Sequence, residues 1–143
     1  MTNSESPRVQ PDWIADHMKR YVETDGEDGH DFRGVTSLLL TTTGRKSGKR
    51  ITTPLYYGEN DGRYLIIGSM GGAPRHPAWY LNLAADENVE IQVNADKFKA
   101  RARTANADEK PALWEQMAKL FPNYLEYQQK TTRQIPVVII ERA

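Results

Sequence analysis

Residues 38–82 read LLLTTTGRKSGKRITTPLYYGENDGRYLIIGSMGGAPRHPAWYLN, and this stretch decides the fold. It passes from an apolar strand through a basic loop with two glycines to two further strand-like runs. It then ends in a glycine-rich loop and an aromatic helix start. Asn60-Asp61-Gly62 separates the second and third runs, and Asp-Gly between such runs predicts a tight antiparallel hairpin. The stretch therefore predicts a sheet built from hairpins.

The flanking segments extend this pattern in both directions. The predicted elements are, in order, a helix from Pro11 to about Tyr21, strands 36–42, 52–59 and 63–69, a helix from about Pro77 to Asp86, strands 89–93 and 98–104, a helix capped by Asp108, a short helix 123–130 and a strand 135–141. Strands grouped in hairpins with few βαβ crossovers predict an α+β protein, a mainly antiparallel sheet or small barrel with packed helices. A Rossmann fold is excluded because no G-x-G-x-x-G follows a strand.

Particular residues in and between these elements predict four finer structural features. Pro54 indicates an edge strand, a bulge or a position where a ligand replaces the ladder. Residues along one face of the first helix are expected to pack on the domain: Trp13, Ile14, His17, Met18 and Tyr21. The apolar face of the capped helix is predicted to consist of Leu113, Trp114, Met117, Leu120 and Phe121. The acidic segment 23–31 is expected to be a solvated loop, since it lacks EF-hand spacing.

Length and composition limit the classes of protein that remain. A chain of 143 residues supports one domain, for which we predict residues 11–143, with a disordered segment over residues 1–10. Equal numbers of basic and acidic residues, 19 of each, give no field that would attract nucleic acid. The absence of cysteine and the three scattered histidines predict no metal site. We expect a cytoplasmic protein without membrane contact, because no signal peptide or spanning run is evident.

The segment Gly44-Arg45-Lys46-Ser47-Gly48-Lys49-Arg50 concentrates positive charge in a short loop. Its cations and backbone N–H groups suit a phosphate or a carboxylate. It is not a P-loop, because Gly48 comes four residues after Gly44 and Arg50 follows Lys49. Two interpretations stay open at this point, an anion-binding loop and a solvated hairpin loop.

Three further stretches carry candidate functional residues, each with a purely structural alternative. The glycines of 69–73 allow a flat ligand to approach the backbone, or form a plain loop. Trp79 and Tyr80 stack on a cofactor or pack in the core, and Tyr124 and Tyr127 are proton donors or ordinary anchors. His76 is expected to be an exposed loop residue. Since the sequence has no thiol, no G-x-S-x-G and no paired histidines, the chemistry is predicted to come from a cofactor.

Three blocks of the chain carry a resemblance to a known family: TTTGRKSGKRITTPLYY, GSMGGAPRHPAWYLNL and FPNYLEYQQKTTRQIPVVIIE. Together they resemble the deazaflavin-dependent nitroreductase family of actinobacteria, over roughly Leu38 to the C-terminus. The resemblance implies a split β-barrel similar to that of FMN-binding oxidoreductases. It also implies coenzyme F420 as the cofactor, an 8-hydroxy-5-deazaflavin with a phosphate and an oligoglutamate tail, which would neutralise the basic loop.

The resemblance also implies roles for individual residues. Those expected at the phosphate and tail are Arg45, Lys46 and Ser47, with Arg50. Those expected along the cofactor are Ile51, Thr52, Thr53, Pro54, Leu55 and Tyr56. Those expected around the deazaflavin ring and phosphate are Ile67, Gly68, Ser69, Met70, Ala78, Trp79, Tyr80, Leu81 and Asn82. Those expected to face the substrate as catalytic residues are Tyr124, Tyr127 and Ser69, with Tyr124 also touching the cofactor.

The resemblance implies an oxidoreductase that passes hydride from reduced F420 to a small electron-poor acceptor, a quinone or an activated enone. The alternatives are an FMN-dependent oxidoreductase of the same barrel class and a non-catalytic F420 carrier. Some members carry basic residues where Ile51 and Met70 stand, and the nitroimidazole-activating member has a tyrosine where Phe121 stands. We therefore expect nitroaromatics to be adventitious substrates. A homodimer is also compatible with the resemblance, since split barrels often pair.

Overall fold

Strand β2, Val35–Thr43, forms the centre of the sheet in a computed structural model that describes residues 12–27, 29–32 and 35–143. It pairs antiparallel with β1, β3 and β6. The remaining elements are α1 (Asp12–Glu23), β1 (Asp31–Phe32), β3 (Arg50–Tyr56), β4 (Gly58–Asn60), β5 (Arg63–Ile67), a 3-10 turn (Met70–Gly72), α2 (Ala78–Ala85), β6 (Asn88–Val93), β7 (Asp96–Thr104), α3 (Lys110–Leu120), α4 (Asn123–Gln129) and β8 (Val137–Arg142).

The described strands form one sheet in the order β1-β2-β6-β7-β8-β5-β4, with β3 paired to β2 off this path. Every pairing in it is antiparallel. This confirms the α+β class and the split β-barrel with packed helices. A single sheet also supports one domain over residues 11–143, which stays a proposal. The disordered segment predicted for residues 1–10 lies outside the described residues.

The second predicted strand, 52–59, is divided in the structure. The chain changes partner at Tyr57, since β3 pairs with β2 whereas β4 pairs with β5. Next to this corner, a Cβ on Gly58 would lie 2.7 Å from the Sδ of Met117, so glycine leaves room for α3 to pack there. The hairpin turn itself is confirmed: Asp61 and Gly62 both have left-handed backbones, at φ 53° and 77°.

Pro54 lies in β3, opposite Leu39 of β2. Within the described residues β3 pairs with no second strand, so the missing N–H of the proline breaks no ladder there. The predicted edge position is confirmed. One side of β3 is thereby left without a strand partner, next to the basic loop.

Strands β5 and β8 are buried on both faces, which explains their continuous apolar runs. Ile66, Val138 and Ile140 point into a core cluster that α2 closes with Trp79 and Leu83. The alternate residues of the same two strands point to the opposite face. There they meet α3 and α4 in a second cluster, formed by Leu65, Ile67, Ala105, Leu113, Met117, Tyr124, Ile135, Val137 and Ile139.

Helix α1 packs on the sheet through its buried face, as expected. The hydroxyl of Tyr21 donates to carbonyl oxygens of Ser37 and Gln92 and accepts from the backbone N–H of Asn94. His17 is also buried, whereas the side chain of Trp13 lies outside the described residues. Among the described helices, none has the length and apolar character needed to cross a membrane.

Two details of α3 differ from the prediction. The side chain of Asn106, not that of Asp108, accepts the N–H groups of Asp108 and Glu109 before the helix, because it comes earlier in the turn. Leu120 is 39% exposed rather than buried. It is the last residue of the helix, and the chain turns after it so that Phe121 packs inward instead.

Candidate functional site

The basic loop Gly44–Lys49 connects β2 to the edge strand β3. It is a closed hairpin, because the N–H of Gly44 donates to the carbonyl of Lys49 and the N–H of Gly48 donates to that of Gly44, both at 2.8 Å. The hydroxyl of Ser47 accepts from the N–H of Lys49 at 3.1 Å. Ser47 therefore stabilises the loop itself, which restrains its backbone beneath the exposed cations.

The charges of this loop are largely uncompensated by the protein. Arg45, Lys46 and Lys49 are exposed, and among the described residues none of them forms an ion pair. Arg50 differs, since its guanidinium donates to the carboxylate of Glu90 at 2.8 Å. Three positive charges are thus available to an anionic ligand, while Arg50 is already partly neutralised.

Asn82 of α2 fixes the position of the basic loop. Its side-chain oxygen accepts from the N–H of Arg45 at 3.1 Å, and its amide donates to the hydroxyl of Thr42 at 3.2 Å. The side chain is only 3% exposed. The oxygen and the nitrogen of its side-chain amide therefore both form hydrogen bonds within the protein, which indicates that Asn82 positions the loop. Direct contact with the cofactor stays a prediction.

The glycine-rich loop, Gly68–Ala73, follows β5, and its backbone is conformationally constrained. Met70, Gly71 and Gly72 all have left-handed backbones, at φ 47°, 63° and 85°. A Cβ on Gly72 would lie 2.7 Å from the carbonyl oxygen of Tyr127, so the loop packs directly on the backbone of α4. Ser69 is only 9% exposed, and its hydroxyl has no hydrogen-bond partner among the described residues.

An aromatic cluster joins the edge strand to α4. The ring centroids of Tyr56 and Phe121 are 5.2 Å apart, and those of Phe121 and Tyr124 are 5.0 Å apart. Tyr127 lies 6.4 Å from Tyr124 and 6.3 Å from Phe121, and Trp114 lies 6.3 Å from Tyr124. The pairs are tilted or edge-to-face, which are the favoured aromatic arrangements. Phe121, which was predicted to lie on the apolar face of α3 and stands where the nitroimidazole-activating member has a tyrosine, thus contacts both Tyr56 and Tyr124.

Tyr124 lies at the centre of this aromatic cluster and is 5% exposed. In the part of the chain that the structure describes, no group accepts a hydrogen bond from its hydroxyl. Burial raises the pKa of the Tyr124 phenol well above its usual value, and the neighbouring Tyr56 and Tyr127 raise it further. A buried phenol that stays protonated and lacks a partner is a proton or hydrogen-bond donor available to a bound molecule.

The predicted cofactor-binding residues occupy three levels of burial. The exposed ones are Arg45, Lys46, Ser47, Arg50, Ile51 and Ala78. The half-buried ones are Thr52, Thr53, Pro54, Leu55, Tyr56, Met70, Tyr80 and Leu81, and Tyr127 is half-buried as well. The buried ones are Ile67, Gly68, Ser69, Trp79, Asn82 and Tyr124. Trp79 is 8% exposed and packs in the first core cluster, and its contact with the cofactor stays a prediction.

Arg133 was not among the predicted functional residues, and the predicted exposure of His76 is wrong. Arg133 donates to carbonyl oxygens of Gly68, Ser69 and Ala73 and to the Nδ1 of His76. His76 is therefore half-buried rather than exposed, and its ring also lies 4.7 Å from that of Tyr80. Burial lowers the pKa of His76, and the charge of Arg133 lowers it further. No local pattern signals Arg133, because its partners lie 57 to 65 residues away.

Comparison with known proteins identifies the family. The family model described as F420H(2)-dependent quinone reductase matches residues 13–142. The chain belongs to this family. The F420H(2)-dependent quinone reductase Rv1261c of Mycobacterium tuberculosis is 40% identical over 130 residues, covering 88% of this chain and 87% of that protein. The family confirms coenzyme F420 as the cofactor and an F420H2-dependent reductase as the class of enzyme.

Two solved structures agree with the fold. The F420-H2 dependent reductase FDR-A is 40% identical, with a TM-score of 0.68, covering 73% of this chain and 93% of that one. A second structure, described as a domain-swapped dimer, is 38% identical, with a TM-score of 0.72, covering 91% of this chain and 98% of that one. These likenesses support the split barrel and disfavour the FMN-dependent alternative.

The residues present fit F420. Its phosphate and carboxylates match Arg45, Lys46 and Lys49 of the basic loop, which form no ion pair with any residue that the structure describes. The buried hydroxyls of Ser69 and Tyr124, which lack partners among the described residues, are orphaned polar groups of the kind that a ligand satisfies. In the sequence, β3 lies between the basic loop and Ser69, and one of its sides has no strand partner among the described residues.

Proposed function

We propose that this protein reduces a quinone with reduced coenzyme F420, and that the acceptor binds between the glycine-rich loop and the aromatic cluster. The observation that carries the proposal is the Tyr124 hydroxyl, which is buried, protonated and without a partner among the described residues. Such a group costs free energy in the free protein unless a ligand uses it. A quinone oxygen is an acceptor that gains negative charge during reduction, and so it suits this donor.

The basic loop would hold the polyanionic end of the cofactor. Arg45 and Lys46 are exposed on a hairpin whose backbone is fixed by Ser47 and Asn82. Their charges would attract the phosphate and carboxylates, and the restrained backbone reduces the ordering cost of binding. This assigns affinity and cofactor choice to one end of the site.

The aromatic cluster would build the acceptor side. Tyr56, Phe121 and Tyr127 surround Tyr124 with apolar ring surface, which suits a planar quinone and excludes water. Bound F420H2 supplies the hydride. The contribution of the protein is to orient the acceptor, to keep the site dry and to hold the proton of Tyr124 at the acceptor oxygen.

A fluorescence titration and a turnover assay test this function together. Purified protein is titrated with F420 and with FMN, and reduced F420 is then mixed with a soluble naphthoquinone while deazaflavin absorbance is followed. We expect F420 to bind at least about tenfold more tightly than FMN, because FMN lacks the carboxylate tail. Turnover with FMN alone would support the alternative cofactor, and F420 binding without turnover would support a carrier.

Assembly and location complete the proposal. A homodimer is supported by the 38% identical structure described as a domain-swapped dimer. Size-exclusion chromatography with light scattering distinguishes a dimer from a monomer of 16.3 kDa. A cytoplasmic location stays a prediction, and fractionation of expressing cells tests it.

A further inference from the structure

The guanidinium of Arg133 donates four hydrogen bonds, to three carbonyl groups of the glycine-rich loop and to His76. Its Nε donates to the carbonyl of Ala73 at 2.8 Å, and its Nη2 donates to that of Ser69 at 2.7 Å. Its Nη1 donates to the carbonyl of Gly68 and to the Nδ1 of His76, both at 3.1 Å. One guanidinium thus contacts both ends of the loop. Its planar arrangement of five N–H donors suits this task, which a single ammonium cannot perform.

The backbone of Arg133 is itself held by α4. Gln128 of α4 donates through its amide to the carbonyl of Arg133 at 2.8 Å. The side-chain oxygen of the same glutamine accepts from the N–H of Ile135 at 3.0 Å. Gln128 therefore fixes the segment from which the guanidinium reaches the loop. A continuous set of hydrogen bonds connects α4 to the glycine-rich loop.

The loop needs such support. Met70 has φ 47°, a left-handed conformation that is unfavourable for a residue with a side chain. It is followed by two glycines that are also left-handed, and Gly72 has no room for a side chain against the carbonyl of Tyr127. A strained, glycine-rich segment keeps one conformation only where its surroundings impose it.

We propose that Arg133 is the positioning residue that assembles the two halves of the site, by holding the segment Gly68–Ala73 against α4. The segment carries Ser69, and the helix carries Tyr124. Arg133 itself need not touch cofactor or acceptor. This inference rests on the proposed location of the site, and its test therefore includes a measurement on the protein without cofactor.

The first arm measures hydrogen–deuterium exchange of the cofactor-free protein for wild type, Arg133→Met and Arg133→Lys. We expect exchange over residues 68–76 to accelerate by about tenfold or more in both variants, with α1 unchanged. Arg101→Met is the matched control, because Arg101 is exposed and its one ion pair within the described residues is with Glu87 at 3.9 Å. Wild-type exchange over 68–76 in the Arg133 variants would overturn the proposal.

The second arm measures the dissociation constant for F420 in the same proteins. We expect about a tenfold or larger increase for both Arg133 variants and no change for Arg101→Met. Lysine keeps the charge and loses the directed hydrogen bonds. Wild-type affinity for F420 in Arg133→Lys would therefore show that only the charge of Arg133 matters, and this would overturn the proposal. If Arg133→Met does not fold, the exchange and the affinity for F420 are both measured on Arg133→Lys.

The two arms separate this inference from the function on which it rests. If wild-type protein does not bind F420, the proposed function is wrong, and the exchange arm alone then decides whether Arg133 fixes the loop. If wild type binds F420 and the folded Arg133 variants bind it equally well, the proposed function stands and the positioning role is wrong.

Discussion

The ring of Phe121 lies 5.2 Å from the ring of Tyr56, and this contact joins the segment between α3 and α4 to the edge strand β3. The strand is the side of the site predicted to lie along the cofactor, and α4 is the side predicted to face the acceptor. This pair of rings therefore connects the two. Its strength bears on how firmly α4 is held over the barrel.

We expect the two rings to be energetically coupled. In a double-mutant cycle with Tyr56→Leu and Phe121→Leu, urea denaturation should give a coupling of about 0.5–1.5 kcal/mol in the free energy of unfolding, since tilted aromatic pairs contribute this much beyond their buried area. Phe121→Leu combined with Phe98→Leu is the control, because Phe98 packs instead with Tyr64. Those two should add within about 0.5 kcal/mol. Additivity of the Tyr56 pair would show that the two rings do not stabilise one another.

Tyr124→Phe should lower activity without lowering stability. The hydroxyl has no partner among the described residues, so its removal leaves no protein group unsatisfied and should change the free energy of unfolding by less than about 1 kcal/mol. The affinity for F420 should hardly change, whereas turnover with a quinone should fall by up to about 10²-fold if Tyr124 donates the proton. Stopped-flow oxidation of bound reduced F420 measures this fall.

Tyr124→Ala serves as the packing control. It removes a buried ring and should cost about 3–5 kcal/mol of unfolding free energy. If Tyr124 contributes only packing to the site, Tyr124→Phe will be fully active. Tyr124→Ala alone will then lower both the affinity for F420 and the free energy of unfolding.

Arg45→Ala with Lys46→Ala should weaken F420 binding by about 1.5–3 kcal/mol for each charged hydrogen bond to the cofactor that is removed. The effect should shrink as salt rises, because part of it is screened Coulomb attraction. The measurement is a fluorescence titration at several ionic strengths. Lys97→Ala with Lys99→Ala removes two exposed charges from β7 and should leave the affinity unchanged. Equal effects of the two double variants would point to net charge rather than to the loop.

His76 should make stability depend on pH. Its pKa is lowered in the folded protein from the usual 6.5, because burial and Arg133 both oppose the charged ring. Its contribution to stability is therefore fully present above that value and is lost as the pH falls below it, since the unfolded chain takes up the proton more readily. Urea midpoints from about pH 7 to about pH 5 should fall less steeply in His76→Gln than in wild type. Identical slopes would contradict this.

The sequence alone predicted the elements that depend on local patterns. Asp61-Gly62 specified a tight turn because both residues tolerate a left-handed backbone. Pro54, which lacks an N–H, indicated an edge strand, a bulge or a ligand in place of the ladder, and the structure has the edge strand. The concentration of cations at 44–50 and its resemblance to a known family together led to the cofactor, since charge and motif are both readable along the chain.

Strand limits and burial were less predictable. The division of β3 from β4 depends on a change of partner at Tyr57, which the continuous run of strand-forming residues conceals. Leu120 and Phe121 follow each other in sequence, and only the turn after α3 decides which of the two packs against the second core cluster. These outcomes depend on packing between elements, and local propensity carries little information about it.

Only the tertiary structure disclosed the hydrogen bonds of Arg133, the pairing of Arg50 with Glu90, and the lack of a partner for the Tyr124 hydroxyl within the described part of the chain. Arg133 and its acceptors are 57 to 65 residues apart, and Arg50 and Glu90 are 40 residues apart. The sequence determined which chemical groups this protein possesses. Folding decided which of those groups are satisfied by one another and which are left for a ligand, because hydrogen bonds and ion pairs depend on distance in space rather than along the chain.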